Sequence, residues 1–189
     1  PDFIIHCGDW TSAPNREFWE AFLSEMKKPG IPFHLAVGNH EIGGNWRTLY
    51  LEMVGKPLYY SFLKDGCLFI LLNPYLDTRP PRLDDDQFSW LERELNTRQA
   101  RRIFVFVHPP LFPVDGHLGR ALDSDPAARA RLAALLGRQK EKTILFCGHE
   151  HLYHAGTFAG IRQVITGGAG GVLVPGIAGT SPMYHYLLV

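Results

Sequence analysis

An α/β fold is predicted for this 189-residue sequence by three observations. Apolar runs of strand length alternate with segments whose apolar residues recur at helical spacing. None of the runs, of which residues 67–72 and 103–107 are the longest, is long enough to cross a bilayer. Four of the strand-like runs end in a short loop bearing Asp, Asn or His. In open α/β sheets, ligand sites lie beyond the carboxyl ends of strands, so four such ends converging would gather oxygen and nitrogen donors into one cluster.

Residues 3–7 read as a buried strand running into Gly8-Asp9. Residues 15–28 read as a helix, with Phe18, Trp19, Phe22, Leu23 and Met26 as its apolar stripe and Pro29-Gly30 as its stop. Residues 32–37 form another apolar strand, ending at Gly38-Asn39-His40. Residues 59–62 and 67–73 flank Leu63-Lys64-Asp65-Gly66 and predict an antiparallel hairpin. A helix follows over 84–97, its acidic start (Asp84, Asp85, Asp86) matched to the helix dipole. The strand 103–107 closes on His108-Pro109-Pro110, the helix 126–137 ends at glycine, and the strand 143–147 runs into Gly148-His149-Glu150-His151. A strand at 163–166, a glycine-rich turn at 167–171 and a last strand near 184–189 complete the chain.

Hydrophobic residues make up 46% and charged residues 20%, and nineteen basic residues balance nineteen acidic ones. That composition fits one domain over residues 1–189, without the basic face of a nucleic-acid binder or the polybasic cluster of a membrane-surface protein. Cys7, Cys67 and Cys147 each sit in an apolar strand-like run and read as buried free thiols, which favours a reducing, cytoplasmic setting. The chain starts at Pro1 with no initiator Met and no signal-peptide pattern, so a removed leader stays open.

The loop residues define the chemistry. Asp9, Asn39, His40, His108, His149 and His151 offer imidazole, carboxylate and amide donors suited to zinc, iron or manganese. Two divalent ions about 3.5–4 Å apart could clamp a phosphate and turn a bound water into hydroxide at neutral pH. A carboxylate can bridge two such ions, which makes Asp9 the natural bridge. The glycines Gly8, Gly38 and Gly148 ahead of each donor pair permit the sharp turns that aim these side chains.

The order Gly8-Asp9, Gly38-Asn39-His40-Glu41, His108-Pro109-Pro110 and Gly148-His149-Glu150-His151 resembles the signature of the calcineurin-like metallophosphoesterases. The likeness extends to residues 165–171. It implies a four-layer α/β/β/α sandwich of two mixed sheets flanked by helices, with a dinuclear centre at the strand ends. By that resemblance Asp9 bridges the metals, Asn39, His108 and His149 complete the second site, and His151 serves the first. His40 would face the substrate, stabilising phosphoryl charge or protonating the leaving oxygen. Members of the family carry an upstream Asp-x-His motif for the first metal. Only eight residues precede Asp9 here, and neither Asp2 nor His6 takes the motif's place, so the expectation is a domain without its first strand. The family's purple acid phosphatases place a metal-binding Tyr shortly after the bridging Asp. Trp10, Thr11 and Ser12 follow Asp9 here, so that charge-transfer chemistry is not expected.

Other candidates have plainer readings. His34, His117, His154 and His185 fall outside the signature, with His117 expected on an exposed loop and His154 only near the site. Trp10, Trp46 and Tyr75 read as core, and Arg79 and Arg82 as loop cations within conceivable reach of a phosphate. The expected function is hydrolysis of a phosphomonoester or phosphodiester by metal-bound hydroxide. A non-catalytic binding or scaffold module with an incomplete metal site is the rival.

Overall fold

The computed structural model describes residues 1–76, 81–114 and 117–189, and its central sheet carries two chemistries on two faces. Along β4 (Cys67–Leu71), β5 (Arg102–Val107) and β6 (Thr143–Cys147), successive side chains point to opposite sides. Phe69, Phe104, Phe106 and Phe146 therefore share one apolar cluster, while Leu68, Ile70, Ile103, Val105, Val107 and Leu145 share another. Both faces are covered, as largely parallel strands require.

Six strands build that sheet in the order β3-β4-β5-β6-β8-β7, adding β3 (Tyr60–Lys64), β7 (Tyr153–Phe158) and β8 (Ile161–Thr166). The inner strands β4, β5, β6 and β8 run parallel, and β3 and β7 close the edges antiparallel. A second sheet pairs β1 (Ile4–His6) with β2 (Phe33–Leu35), also in parallel. The helices α1 (Arg16–Lys27) and α2 (Trp46–Met53) bury Trp19, Leu23, Trp46, Leu49 and Tyr50 with Leu35 and Val37 of the β2 segment. On the far side, α3 (Asp85–Thr97) and α4 (Pro126–Gly137) bury Leu91, Leu95, Leu132 and Leu136 against the aliphatic face. The aromatic cluster, with Ile5, Cys7 and Ala36, lies between the sheets. Three apolar clusters thus form the three seams of an α/β/β/α sandwich.

Helix starts follow side-chain chemistry. Asn15 accepts from the Glu17 and Phe18 amides, Asp84 from Gln87, and Asp125 from Ala128, with Pro126 at the first position of α4.

Several expectations are corrected. The smaller sheet is purely parallel and two-stranded among the described residues, not mixed. The strand at 3–7 is only half-buried and shorter, because its partner β2 offers three registered residues. Phe18 leaves the apolar stripe and is 46% exposed, since α1 turns Trp19 and Leu23 inward. The hairpin turn shrinks to Asp65-Gly66, whose positive φ values of 49° and 71° match the twist of the flanking strands. Helix α2 and strand β7 were not anticipated. No strand forms at 184–189, where Tyr186 and Leu188 point outward and only Leu187 packs on the sheet. The β7 edge takes a single bridge, at Ser181, so the alternating tail has no ladder to join.

Candidate metal centre

The loops after β1, β2, β5 and β6 meet at the carboxyl ends of their strands, and the meeting point is the His108 ring. His108 is fully buried, and its Nδ1 lies 2.8 Å from the Cys7 carbonyl oxygen, 101 residues away in sequence. A carbonyl only accepts, so Nδ1 carries a proton, and Nε2 is the ring atom turned towards the other loops. Around that Nε2 stand Asp9 Oδ2 at 3.1 Å, Asn39 Oδ1 at 3.2 Å and His149 Nδ1 at 3.1 Å. Asp9, His108 and His149 are the one group of metal-ligand atoms gathered within 4.8 Å of one another among the described residues.

Backbone strain and close approach build this point. Asp9 and His149 both adopt left-handed backbone, with φ of 54° and 66°, a conformation that L-residues avoid unless the surroundings impose it. Gly8, at φ 94°, passes so close to His108 that a Cβ would stand 2.6 Å from its Nδ1. At Gly38 a Cβ would stand 2.4 Å from the Asp9 amide nitrogen. Only glycine lets the β1 and β2 loops come this near.

Glu41 holds the strained loops together. It is fully buried, and its carboxylate accepts from the Asp9 and Gly38 amides at 2.8 and 2.7 Å and from Thr11 at 3.1 Å. Gln163 does comparable work beneath the His108 loop. Its Oε1 accepts from the Leu111 and Phe112 amides, and its Nε2 donates to the Phe112 carbonyl. Neither residue was assigned a role from sequence. Glu41 was visible in the Gly-Asn-His-Glu motif, whereas Gln163 carried no signal.

The electrostatics suit a bound cation. Burial, then the adjacent His108, holds the His149 pKa down at about 4, so the ring stays neutral and able to ligate at neutral pH. Burial works against ionisation of Asp9. The hydrogen bond and charge that His108 offers in its protonated form, with the His40 amide, nonetheless hold its carboxyl below the usual range.

The sequence profile of the calcineurin-like phosphoesterases matches residues 1–153. The chain belongs to that family. Among relatives, the probable glycerophosphodiester phosphodiesterase GpdQ of Arcobacter nitrofigilis is 26% identical over 162 residues, covering 80% of this chain and 57% of that protein. The human serine/threonine-protein phosphatase CPPED1 is 28% identical over 188 residues, covering 90% of this chain and 60% of its own. The chain therefore spans little more than half the length of these relatives. A solved dimetal phosphatase from Danio rerio superposes with a TM-score of 0.67 at 17% identity, over 87% of this chain and 71% of that one.

Within this calcineurin-like phosphoesterase the remaining candidates divide. The amide of His40 donates to Asp9 Oδ1 at 2.9 Å, and its Nε2 stands 3.9 Å from Asp9 Oδ2 on a half-exposed ring. His40 is thus beside the cluster rather than in it. His151 is not among the gathered ligand atoms, but it holds the posture of His108: Nδ1 donates to the Val172 carbonyl at 2.8 Å, leaving Nε2 free. His117 corrects its expectation. It lies inward, 25% exposed at the side chain, with Nδ1 2.6 Å from the buried Glu150 carboxylate. Asp2 pairs with Lys64 at 3.0 Å, and His6 packs edge-on against Phe22. His34 stacks on Phe62, and His185 meets Thr166. Tyr75 is buried core, as expected, with its ring 6.1 Å from that of His108. Arg82 faces Asp125, while Arg79 and the loop pair Asp115-Gly116 lie outside the described residues. No helix among the described residues is long and apolar enough to cross a membrane.

Proposed function

We propose that this chain hydrolyses a phosphomonoester or phosphodiester at a dinuclear divalent-metal centre on the β1, β2, β5 and β6 loops. The observation that carries the reading is the lone-pair contact at His108. With Nδ1 committed to the Cys7 carbonyl, a neutral His108 ring turns its Nε2 lone pair on an acceptor of Asp9 and another of Asn39 within 3.2 Å, an arrangement that a cation relieves. The donor set is oxygen and nitrogen throughout, which fits manganese, iron or zinc. Asp9, Asn39, His108 and His149 would hold one ion, and Asp9 with His151 would supply donors to a second. When bound, such ions activate water and neutralise charge on the phosphoryl oxygens.

The chain's own residues do the rest. Asp9 keeps its carboxylate ionised and oriented through the His40 amide. Nδ1 of His40 lies 3.0 Å from the Ser12 carbonyl oxygen, which it meets as a donor and which sets the ring's direction. When the ring is protonated, Nε2 carries the proton that it gives to the departing ester oxygen. The water oxygen gives up a proton to solvent and forms the new P–O bond, the ester P–O bond breaks, the leaving oxygen takes the His40 proton and departs as an alcohol, and the ring regains its proton from solvent.

The test is hydrolysis of p-nitrophenyl phosphate and bis(p-nitrophenyl) phosphate by manganese-supplemented protein, with metal content measured on the same samples. Turnover of either ester by wild type is expected. His40→Ala should bind metal equally well and lose about 10²–10⁴-fold in kcat, the usual range for a positioned acid. Folded, metal-loaded wild type without turnover would replace the hydrolase with a binding module.

A further inference from the structure

Beside the cluster, on its His149 side, a short loop is braced from three directions and offers one cation that is unpaired among the described residues. Its start is tied to the metal loops: the His117 amide donates to the Val114 carbonyl, and its Nδ1 lies 2.6 Å from Glu150, the residue after His149. Its end is tied to the His108 motif, since the Leu122 amide donates to Pro110 O at 2.8 Å, with Ala121 and Leu122 buried. Between these ties a single carboxylate, Asp123, accepts from the Gly119 amide at 2.7 Å and the Ala121 amide at 3.1 Å. Those amides flank Arg120, so its backbone is fixed on both sides.

The Arg120 side chain is free where its backbone is not. The residue is exposed, and among the described residues its guanidinium makes no ion pair or hydrogen bond. Three residues of chain span at most about 10 Å, so Arg120 stays near the His117–Glu150 contact.

We propose that Arg120 forms an anion subsite beside the metal cluster, which recognises a second negative group on the substrate. The planar guanidinium presents paired donors that match carboxylate and phosphate oxygens, and an unpaired arginine on a braced loop gives up little freedom to engage them. His40 flanks the cluster on the Asp9 side and Arg120 on the His149 side. Arg120 follows the His117–Glu150 contact by three residues, so an ester substituent that extends past His149 is the part of the substrate it would meet. The favoured class is a phosphate ester whose alcohol portion carries a carboxylate or a further phosphate. This rests on the hydrolase reading above and adds to it the substrate's second charge.

The experiment compares 4-carboxyphenyl phosphate with 4-carbamoylphenyl phosphate, two esters of similar shape that differ in one charge. Wild type, supplied with manganese, should favour the carboxylate by roughly tenfold in kcat/KM, equivalent to about 1.4 kcal/mol. The gain should lie mainly in KM and shrink as salt is raised. Arg120→Gln should bring the ratio close to one, and Arg120→Glu should reverse it. Equal use of the two esters by wild type, or a preference that survives in Arg120→Gln, overturns the subsite. Wild type that turns over neither ester fails the hydrolase reading instead. The subsite is then read by calorimetry with the matching phosphonates, and equal affinities overturn it.

Discussion

Two pairs of residues share one unfavourable backbone conformation for opposite reasons. Asp65 and Ala159 have φ of 49° and 50° and sit in two-residue hairpin turns, each followed by a left-handed glycine, Gly66 or Gly160. There the twist of the strands requires the conformation, and the side chain is incidental. Asp9 and His149 have the same kind of φ at the strand ends, where the side chain is the point: both reach the His108 ring. In the turns, sequence chemistry accommodates the backbone. At the candidate site the tertiary structure imposes it.

The comparison breaks most sharply at Asp9. Asn tolerates left-handed backbone nearly as well as Asp, so Asp9→Asn keeps the loop and removes the charge. Metal content and turnover should both collapse while the melting temperature of the metal-free protein changes little. Full activity in this variant would end the bridging assignment. Glu41→Gln tests the imposition itself. Replacing a carboxylate oxygen with an NH2 group sets a donor against amide donors, which should destabilise the protein by about 1–3 kcal/mol. Metal affinity should fall 10–100-fold, the range for residues that orient ligands. Equilibrium denaturation and metal titration measure the two effects, and unchanged affinity would reduce Glu41 to a stability role.

Acidity gives a smaller, shared effect. Burial, as the largest cause, holds His6, His34 and His149 at about 4 in the fold, against an ordinary 6.5. The unfolded chain binds these protons first, so the metal-free protein should lose stability as pH falls from 6.5 towards 4. Burial and the Asp9 charge raise Glu41 to about 7, which works the other way in the overlapping window from 4.5 to 7. Three histidines outweigh one carboxyl, and Glu41→Gln should steepen the decline of melting temperature with acid. A flat profile would mean that the histidines are hydrated. Ala159→Asn is the smallest change. It puts a residue suited to left-handed backbone into the β7–β8 turn and should stabilise the protein by up to about 1 kcal/mol, read as a shift in urea midpoint.

Much of the fold was legible because its signals are local. Helix α4 and strand β6 lie where periodicity and flanking glycine place them, and α1 and α3 begin at the capping residues Asn15 and Asp84. Strand β7 was missed because its pattern of Tyr153, His154, Ala155, Gly156 and Thr157 is weakly apolar, and it exists by pairing with β8. The tail erred the other way. Residues 184–189 alternate convincingly, but no open ladder receives them.

By itself the sequence determined the family, the layered α/β class, the donor chemistry of Asp9, Asn39, His108 and His149, and the glycines that allow those loops to close. Each is written in adjacent residues or in short periods. Only the tertiary structure decided that Glu41 clasps the first two loops, that Gln163 braces the third, and that His117 turns inward to Glu150. It also decided that Arg120, on the loop braced by Asp123, has no partner among the described residues. These depend on contacts between residues tens of positions apart, up to the 101 that separate Cys7 from His108. Hydrophobic periodicity reports which face of an element is buried, and carries no information about what that face will meet.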